Sequence, residues 1–165
     1  MRVLGFDPGT ATTGYGVVEG RGTRLHHVIH GVITTPAGMH FAERLRILHS
    51  EAAALVATYA PDAVAIEKLY FARNVTTGLK VAEARGVLAL AAAQSNRPIG
   101  EFSPLEVKNA VVGYGKATKK QVQEMVKLLL NLDALPRPDD AADALALAIC
   151  QIHAGRLDSA VRLRA

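Results

Sequence analysis

Two short apolar runs that each end in an acidic residue constrain the fold of this chain most strongly. The first run, residues 2 to 6, precedes Asp7, and the second, residues 63 to 66, precedes Glu67. Such runs are typical of buried strands, and residues 41 to 59 between them have the apolar spacing of a helix. A strand, a helix and a strand in that order predict parallel neighbours joined by a right-handed crossover, with Asp7 beside Glu67.

Two more acidic residues open the last helical stretch. Asp140 and Asp143 are three positions apart, so they share one face of a helix whose apolar residues would pack on the sheet. A buried anion is costly unless it is paired or bound to a cation, and carboxylate oxygens suit Mg²⁺. The four acids predict one shared Mg²⁺ site, in which two ions roughly 4 Å apart activate water and stabilise the leaving oxygen of a phosphodiester.

Each acid also has an ordinary structural explanation. Asp7 can belong to a turn, Glu67 can be an exposed strand end, and Asp139, Asp140 and Asp143 can cap a helix and oppose its dipole. Capping does not account for all three of the last acids, and it leaves their coincidence with the two strand ends unexplained. We therefore favour the metal site.

The remaining segments complete an α/β fold. Strand patterns cover residues 2 to 7, 13 to 20, 24 to 34, 63 to 67 and 98 to 103. Helical patterns cover residues 41 to 59 and about 77 to 94, begin at Pro104 and after Thr118 with capping boxes, and end with about 138 to 153. This order predicts a mixed five-stranded sheet with helices packed on it. We expect one nuclease domain over residues 1–153 and a loose basic tail over 154–165.

Composition limits the partners and the location. No run approaches the about 18 to 20 apolar residues of a membrane span, and the start is unlike a signal peptide, so we expect a cytoplasmic protein without a membrane partner. The net charge is +4 although several acids are predicted to cluster, which favours a polyanionic partner. Cys150 should pack as a small hydrophobe, and the six histidines lack the ligand spacing of a zinc site.

The motifs around the acids resemble those of the RuvC-type Holliday junction resolvases. The matching segments are Gly5-Phe6-Asp7-Pro8-Gly9-Thr10, Thr13 to Val18, Ala65-Ile66-Glu67, Val107-Lys108 through Gly113, Lys119 to Gln123, and Asp140 to Ala146. The resemblance implies a ribonuclease H-like three-layer fold with helices on both faces of the sheet, a homodimer, and Mg²⁺-dependent paired cuts in four-way DNA junctions. It also implies work with a branch-migration motor of the RuvA and RuvB type.

The resemblance further implies roles for single residues. Asp7, Glu67, Asp140 and Asp143 match the catalytic metal-binding acids of the family, with two Mg²⁺ per subunit expected and Mn²⁺ as a substitute, whereas Asp139 matches no required position. The residues expected to contact DNA are Tyr70, which would stack on an unpaired base, and the basic residues Arg73, Lys80, Lys108, Lys116, Lys119 and Lys120.

A two-fold symmetric junction with two scissile strands calls for two active sites, hence a dimer. The small-residue helix near residues 77 to 94 is the candidate interface, although it can equally pack on its own sheet.

Other classes of protein stay open at this stage. The segment Asp7-Pro8-Gly9-Thr10 also resembles the phosphate loop of sugar kinase and actin-type ATPases, but those proteins clamp nucleotide between two lobes and this chain has room for one. A non-enzymatic DNA-binding module would explain the charge without explaining the buried acids. A ribonuclease acting on RNA–DNA hybrids is compatible with the expected fold, and only a comparison of substrates separates it from a junction nuclease.

Overall fold

The chain folds around one mixed sheet, and the computed structural model describes residues 1–69 and 75–162. The strands are β1 (Arg2–Asp7), β2 (Thr12–Arg21), β3 (Arg24–Thr34), β4 (Ala63–Glu67) and β5 (Ile99–Phe102), in the spatial order β3-β2-β1-β4-β5. The helices of the described ranges are α1 (Phe41–Tyr59), α2 (Val75–Gln94), α3 (Pro104–Val112), α4 (Lys119–Leu129) and α5 (Asp139–Arg162). The predicted five-stranded mixed sheet is confirmed.

The central strand β1 joins an antiparallel half of the sheet to a parallel half. It pairs antiparallel with β2, and it pairs parallel with β4, with Phe6 opposite Ile66 at the carboxyl end. Helix α1 follows β3 and leads into β4, which lies parallel beside β1 as the sequence predicted. The residues that follow Phe6 and Ile66 are Asp7 and Glu67, so the two carboxylates leave the sheet from neighbouring strand ends.

Alternate residues of the strands build two separate cores. Leu4 and Phe6 belong to a core with α1 and α2, whereas Val3 and Ala65 belong to a core with α3, α4 and α5. Because neighbouring residues of a strand point to opposite faces, the helices cover both faces of the sheet. The predicted three-layer architecture is therefore confirmed.

Helix α5 packs unusually close to β1 and β2. A side chain at Gly5 would collide with the backbone of Ala144, and one at Gly14 would collide with the backbone carbonyl of Asp140. Glycine is required at both positions because only a residue without Cβ leaves room for a helix backbone there. The first turns of α5 consequently lie directly on the sheet.

Capping boxes fix where α3 and α4 begin. The Ser103 side chain accepts a hydrogen bond from the Glu106 amide, and the Thr118 side chain accepts one from the Gln121 amide, with the reciprocal bonds also present. Each box satisfies amide groups that a helix start leaves unpaired. Both boxes were predicted from sequence, and the second makes Lys119 the first residue of α4.

Strands β2 and β5 differ from their predicted ranges by one residue at each end, and two helix boundaries differ by more. Helix α2 begins at Val75 rather than near residue 77, and α5 continues to Arg162 rather than ending near His153. The α5 sequence contains no proline, and a glycine inside a helix, here Gly155, costs only about 1 kcal/mol. Residues 154–162 are therefore helical rather than a loose tail, while the division into a domain and a tail stays a prediction. No helix in residues 1–69 and 75–162 is long and apolar enough to span a membrane.

Candidate active site

The candidate site begins with two carboxylates at the carboxyl ends of adjacent strands. Asp7 ends β1 and Glu67 ends β4, and both side chains are half-buried. Alternation along the strands places both on the face that α5 covers, since Gly5 lies under α5 and Ala65 packs in the same core. In open α/β sheets, ligands bind beside these strand ends.

Helix α5 contributes two further acids, Asp140 and Asp143. Gly14 pairs with Asp7 in the antiparallel register, and the carbonyl of Asp140 lies against Gly14. The first turn of α5 is thus held next to Asp7, and Asp143 follows one turn later. The close approach that glycine permits is what brings the helix acids to the strand acids.

A pocket of about 190 Å³ opens where these elements meet. Its charged lining residues are Asp7, Glu67, Asp143, Lys108 and Lys119, and its other lining residues are Pro104, Val107, Val122, Ala146 and Leu147. Three of the four predicted acids therefore share one pocket with two of the predicted lysines. Asp140 does not line this pocket.

Burial and mutual repulsion make ionisation of the pocket's strand-end carboxyl groups unfavourable. Desolvation by burial, together with the charges of Asp143, Glu67 and Asp140, raises the pKa of Asp7 to about 8 against the opposing effect of Lys119. Burial also raises the pKa of Glu67, with Asp143 adding to the rise. Asp140 is therefore coupled to the site by charge. Carboxylates with raised pKa values in a cleft are typical of functional sites.

Lys119 contacts two acids in the first turns of α5. Its Nζ lies 2.7 Å from Asp143 Oδ2 and 3.9 Å from Asp139 Oδ2. Desolvation acts to lower the pKa of Lys119, but the hydrogen bond to Asp143 and the charges of Asp143, Asp139 and Asp7 outweigh it, so the pKa is raised. The same contact lowers the pKa of Asp143, although burial dominates and leaves it raised. Asp139 also pairs with Arg137 at 2.6 Å, which gives it a partner outside the pocket.

The donor set fits a hard divalent cation in its chemistry. The acids offer only carboxylate oxygens, which suit Mg²⁺ or Mn²⁺, and a cation would offset the repulsion that raises the pKa of Asp7. As the side chains lie, no three carboxylate, histidine or cysteine groups within residues 1–69 and 75–162 are close enough together to hold one ion. Binding of one ion by three of these groups would therefore require side chains to move.

The predicted DNA-contacting residues fall into three groups. Lys108 and Lys119 line the pocket. Lys116 and Lys120 are exposed beside the start of α4, with Lys120 3.9 Å from Glu124, and Lys80 is exposed on α2 beside Thr10 and the loop that follows β1. Tyr70 and Arg73 lie outside the residues that the structure describes.

Sequence reasoning missed two residues that hold the end of β4. Arg85 Nε donates a hydrogen bond to the Glu67 carbonyl oxygen at 3.1 Å, and Lys68 pairs with Glu106 of the α3 capping box at 3.2 Å. The available signal was the position of Arg85, a lone arginine in the small-residue helix α2. Its contact depends on how α2 packs, which the sequence pattern did not specify.

The fold and the acidic pocket define a class of protein: a ribonuclease H-like domain with a carboxylate site at the ends of its central strands. Residues 3–151 match the family model described as crossover junction endodeoxyribonuclease RuvC. The chain belongs to the RuvC family, a family of nucleases, and the predicted family resemblance is confirmed.

Relatives and solved structures agree with this membership. The chain is 53% identical over 150 residues to crossover junction endodeoxyribonuclease RuvC of Thermosipho melanesiensis, covering 91% of this chain and 96% of the relative. It is 54% identical over 156 residues to that of Thermomicrobium roseum, covering 94% and 95%. The structure of Thermus thermophilus RuvC in complex with Holliday junction substrate is similar at 33% identity and a TM-score of 0.92, with 96% of each chain covered. The yeast mitochondrial Holliday junction resolvase Ydc2 shares the fold, at 15% identity and a TM-score of 0.67 over 92% of this chain and 78% of that chain.

Proposed function

We propose that this chain is a structure-selective endonuclease that resolves four-way DNA junctions by paired, metal-dependent hydrolysis of phosphodiester bonds during recombination and repair. The observation that carries the proposal is the single pocket shared by Asp7, Glu67, Asp143, Lys108 and Lys119 in a member of the RuvC family. The Thermus thermophilus relative in complex with a Holliday junction substrate supports the choice of substrate.

Asp7, Glu67, Asp140 and Asp143 are the residues that would hold Mg²⁺, with two ions per subunit and Mn²⁺ as a substitute. When bound, the metal supplies positive charge to the scissile phosphate and lowers the pKa of water. The raised pKa of Asp7 supports this assignment, because a group of partly buried anions binds a cation more favourably than separate exposed carboxylates do.

The basic residues would hold the DNA backbone. Lys108 and Lys119 border the acids, so their ammonium groups can attract the phosphate that enters the pocket and stabilise negative charge as it develops there. The exposed Lys116, Lys120 and Lys80 would add phosphate contacts on either side. Tyr70 and Arg73 complete the proposed surface, with Tyr70 stacking on an unpaired base.

The proposed substrate also determines the proposed assembly. A two-fold symmetric junction is cut at two strands, so two copies of the pocket, one per subunit of a homodimer, would act on it. Helix α2 is the candidate interface: Leu79 and Leu90 are exposed on it. A branch-migration motor of the RuvA and RuvB type would supply mobile junctions to this dimer. We also propose a cytoplasmic location.

The test compares substrates directly. The purified full chain is incubated with a labelled mobile four-way junction, linear duplex DNA and an RNA–DNA hybrid, each with Mg²⁺ and with EDTA. We expect symmetric nicks in the junction alone and only with Mg²⁺. Cutting of linear duplex or of the hybrid would show a different nuclease, and junction binding without cuts under any condition would show a binding module.

Matched variants separate catalysis from binding. Asp7→Asn removes one carboxylate from the pocket, and we expect it to abolish the nicks while junction binding in EDTA is retained. Asp133→Asn makes the same chemical change at an exposed carboxylate outside the pocket and should cut like the unaltered protein.

A further inference from the structure

Arg85 forms a bridge between helix α2 and the strand end that carries Glu67. Its side chain is 24% exposed, its Nε donates to the Glu67 carbonyl oxygen at 3.1 Å, and its guanidinium forms an ion pair with Glu101 of β5. Glu101 stands opposite Ile66 in the parallel register, so the ion pair fixes the guanidinium beside the last residues of β4. Arg85 is not among the residues that line the acidic pocket.

Both polar groups of one peptide unit are held at this point. The Glu67 carbonyl accepts from Arg85, and the amide of the same unit, the Lys68 N–H, donates to the Phe102 carbonyl at 2.8 Å. Holding a peptide plane from both sides restricts rotation about the Glu67 backbone, and the backbone sets the direction in which the side chain leaves the strand. The groups that hold this peptide unit, Arg85 and the Phe102 carbonyl, lie outside the pocket.

We propose that Arg85 is a positioning residue for the metal site: it fixes the Glu67–Lys68 peptide plane and so directs the Glu67 carboxylate into the pocket. The inference rests on the proposed metal-dependent cleavage. Arginine suits the task because its planar guanidinium donates in two directions at once, to the carbonyl and to Glu101, whereas a lysine ammonium has no such fixed geometry.

The experiment measures cation affinity without DNA. Mn²⁺ is titrated into the metal-free full chain by calorimetry or by electron paramagnetic resonance, and junction affinity is measured separately in EDTA. We expect Arg85→Gln to weaken Mn²⁺ binding about tenfold, the loss typical for groups that orient a metal ligand. Arg85→Lys should weaken it similarly although the charge is kept, and its junction affinity in EDTA should be unchanged.

Two further variants sharpen the result. Glu101→Gln removes the ion pair but leaves the hydrogen bond to Glu67, so its loss of Mn²⁺ affinity should be smaller. Arg46→Gln removes the same charge from an exposed arginine on α1, paired only with Glu43 in the described part of the chain, and should bind Mn²⁺ like the unaltered protein. If Arg85→Gln does not fold, by circular dichroism, Arg85→Lys and Glu101→Gln decide the matter.

Unaltered Mn²⁺ affinity in the folded Arg85 variants, with normal binding by the unaltered chain, would overturn the positioning role and leave the proposed function intact. Failure of the unaltered chain to bind Mn²⁺ at all would instead overturn the proposed function, and the inference with it. A loss of thermal stability without a change in Mn²⁺ affinity would also overturn it, because it would show a purely structural ion pair.

Discussion

The two faces of the sheet are made from alternate residues of the same strands, yet they differ in chemistry. On β1, Leu4 and Phe6 are fully buried against α1 and α2, whereas Gly5 and Asp7 face α5. Large side chains fill the space between sheet and helices on the first face. On the second face Gly5 and Gly14 let the α5 backbone come close to the sheet, and the acids meet. The site therefore depends on glycine under α5 as much as on the carboxylates.

The largest expected effect is on the rate of junction cleavage. Comparing Gly5→Ala with Leu4→Ala tests whether the two faces of the sheet differ in their importance for the site. A methyl group at Gly5 would meet the backbone of Ala144 and Ala148, so α5 must shift; overpacking typically costs about 1 to 3 kcal/mol of stability. A shift of about 1 Å at a catalytic site can lower the rate roughly 100-fold. Leu4→Ala instead leaves a cavity, at about 2 to 5 kcal/mol, without moving α5.

The measurements are junction cleavage rates at a temperature where both variants are folded, with urea unfolding for stability. We expect the glycine variant to lose far more activity, and the leucine variant to lose at least as much stability. Equal losses of cleavage in the two folded variants would contradict the distinction between the faces.

The pH dependence of stability should be the next largest effect. The pKa of Asp7 is raised from 3.8 to about 8 in the fold, so ionisation of Asp7 is less favourable in the folded than in the unfolded state. The stability associated with protonated Asp7 is fully present below pH 3.8 and is lost as the pH rises through about 8. Without metal, the unaltered chain should therefore lose stability relative to Asp7→Asn across this range, by at least about 1.4 kcal/mol, the equivalent of one pKa unit.

Urea unfolding of both proteins in EDTA, at several pH values, gives this difference. Adding Mg²⁺ should reduce it, since the cation offsets the charge of Asp7. A difference in stability that does not vary with pH would contradict the electrostatic description of the pocket.

The smallest effect concerns two lysines that are three residues apart at the start of α4. Lys119 contacts Asp143 in the pocket, whereas Lys116 is exposed beside it in sequence. If each contacts one phosphate, replacement by glutamine should lower the salt slope of junction binding by about 1 in either case. Only Lys119→Gln should also lower the cleavage rate at saturating DNA. Equal cleavage by both variants would remove Lys119 from the chemistry and leave it as a binding residue.

The sequence predicted the sheet because β1 and β4 are short apolar runs, and because turn residues separate β1, β2 and β3. β1, β3, α1 and β4 have the predicted bounds, since a glycine or proline lies close to at least one end of each. The end of α5 was predicted too early. Residues 154–162 contain no signal that requires the helix to continue and none that ends it. Local pattern therefore sufficed for the elements and failed where a boundary depends on packing.

For the site, the sequence indicated which residues lie close together but not which contacts hold them in place. The strand–helix–strand order alone was enough to predict that Asp7 lies beside Glu67. Only the structure shows why the acids of α5 come near them, because it shows the glycines that leave room for the helix. Arg85 lies far along the chain from Glu67, and the Lys119–Asp143 contact depends on side-chain conformation. Neither contact has a fixed sequence spacing that a motif could reveal.

The central claim is that the carboxylates under α5 act together as a cation site. Crystals of the full chain soaked in Mn²⁺, with diffraction recorded at an energy where manganese scatters anomalously, test it most directly. We predict an anomalous peak between the carboxylates of Asp7 and Glu67, with Asp143 released from Lys119, and no such peak in Asp7→Asn. A manganese-free pocket in the unaltered protein, with Asp143 still bound to Lys119, would contradict the claim.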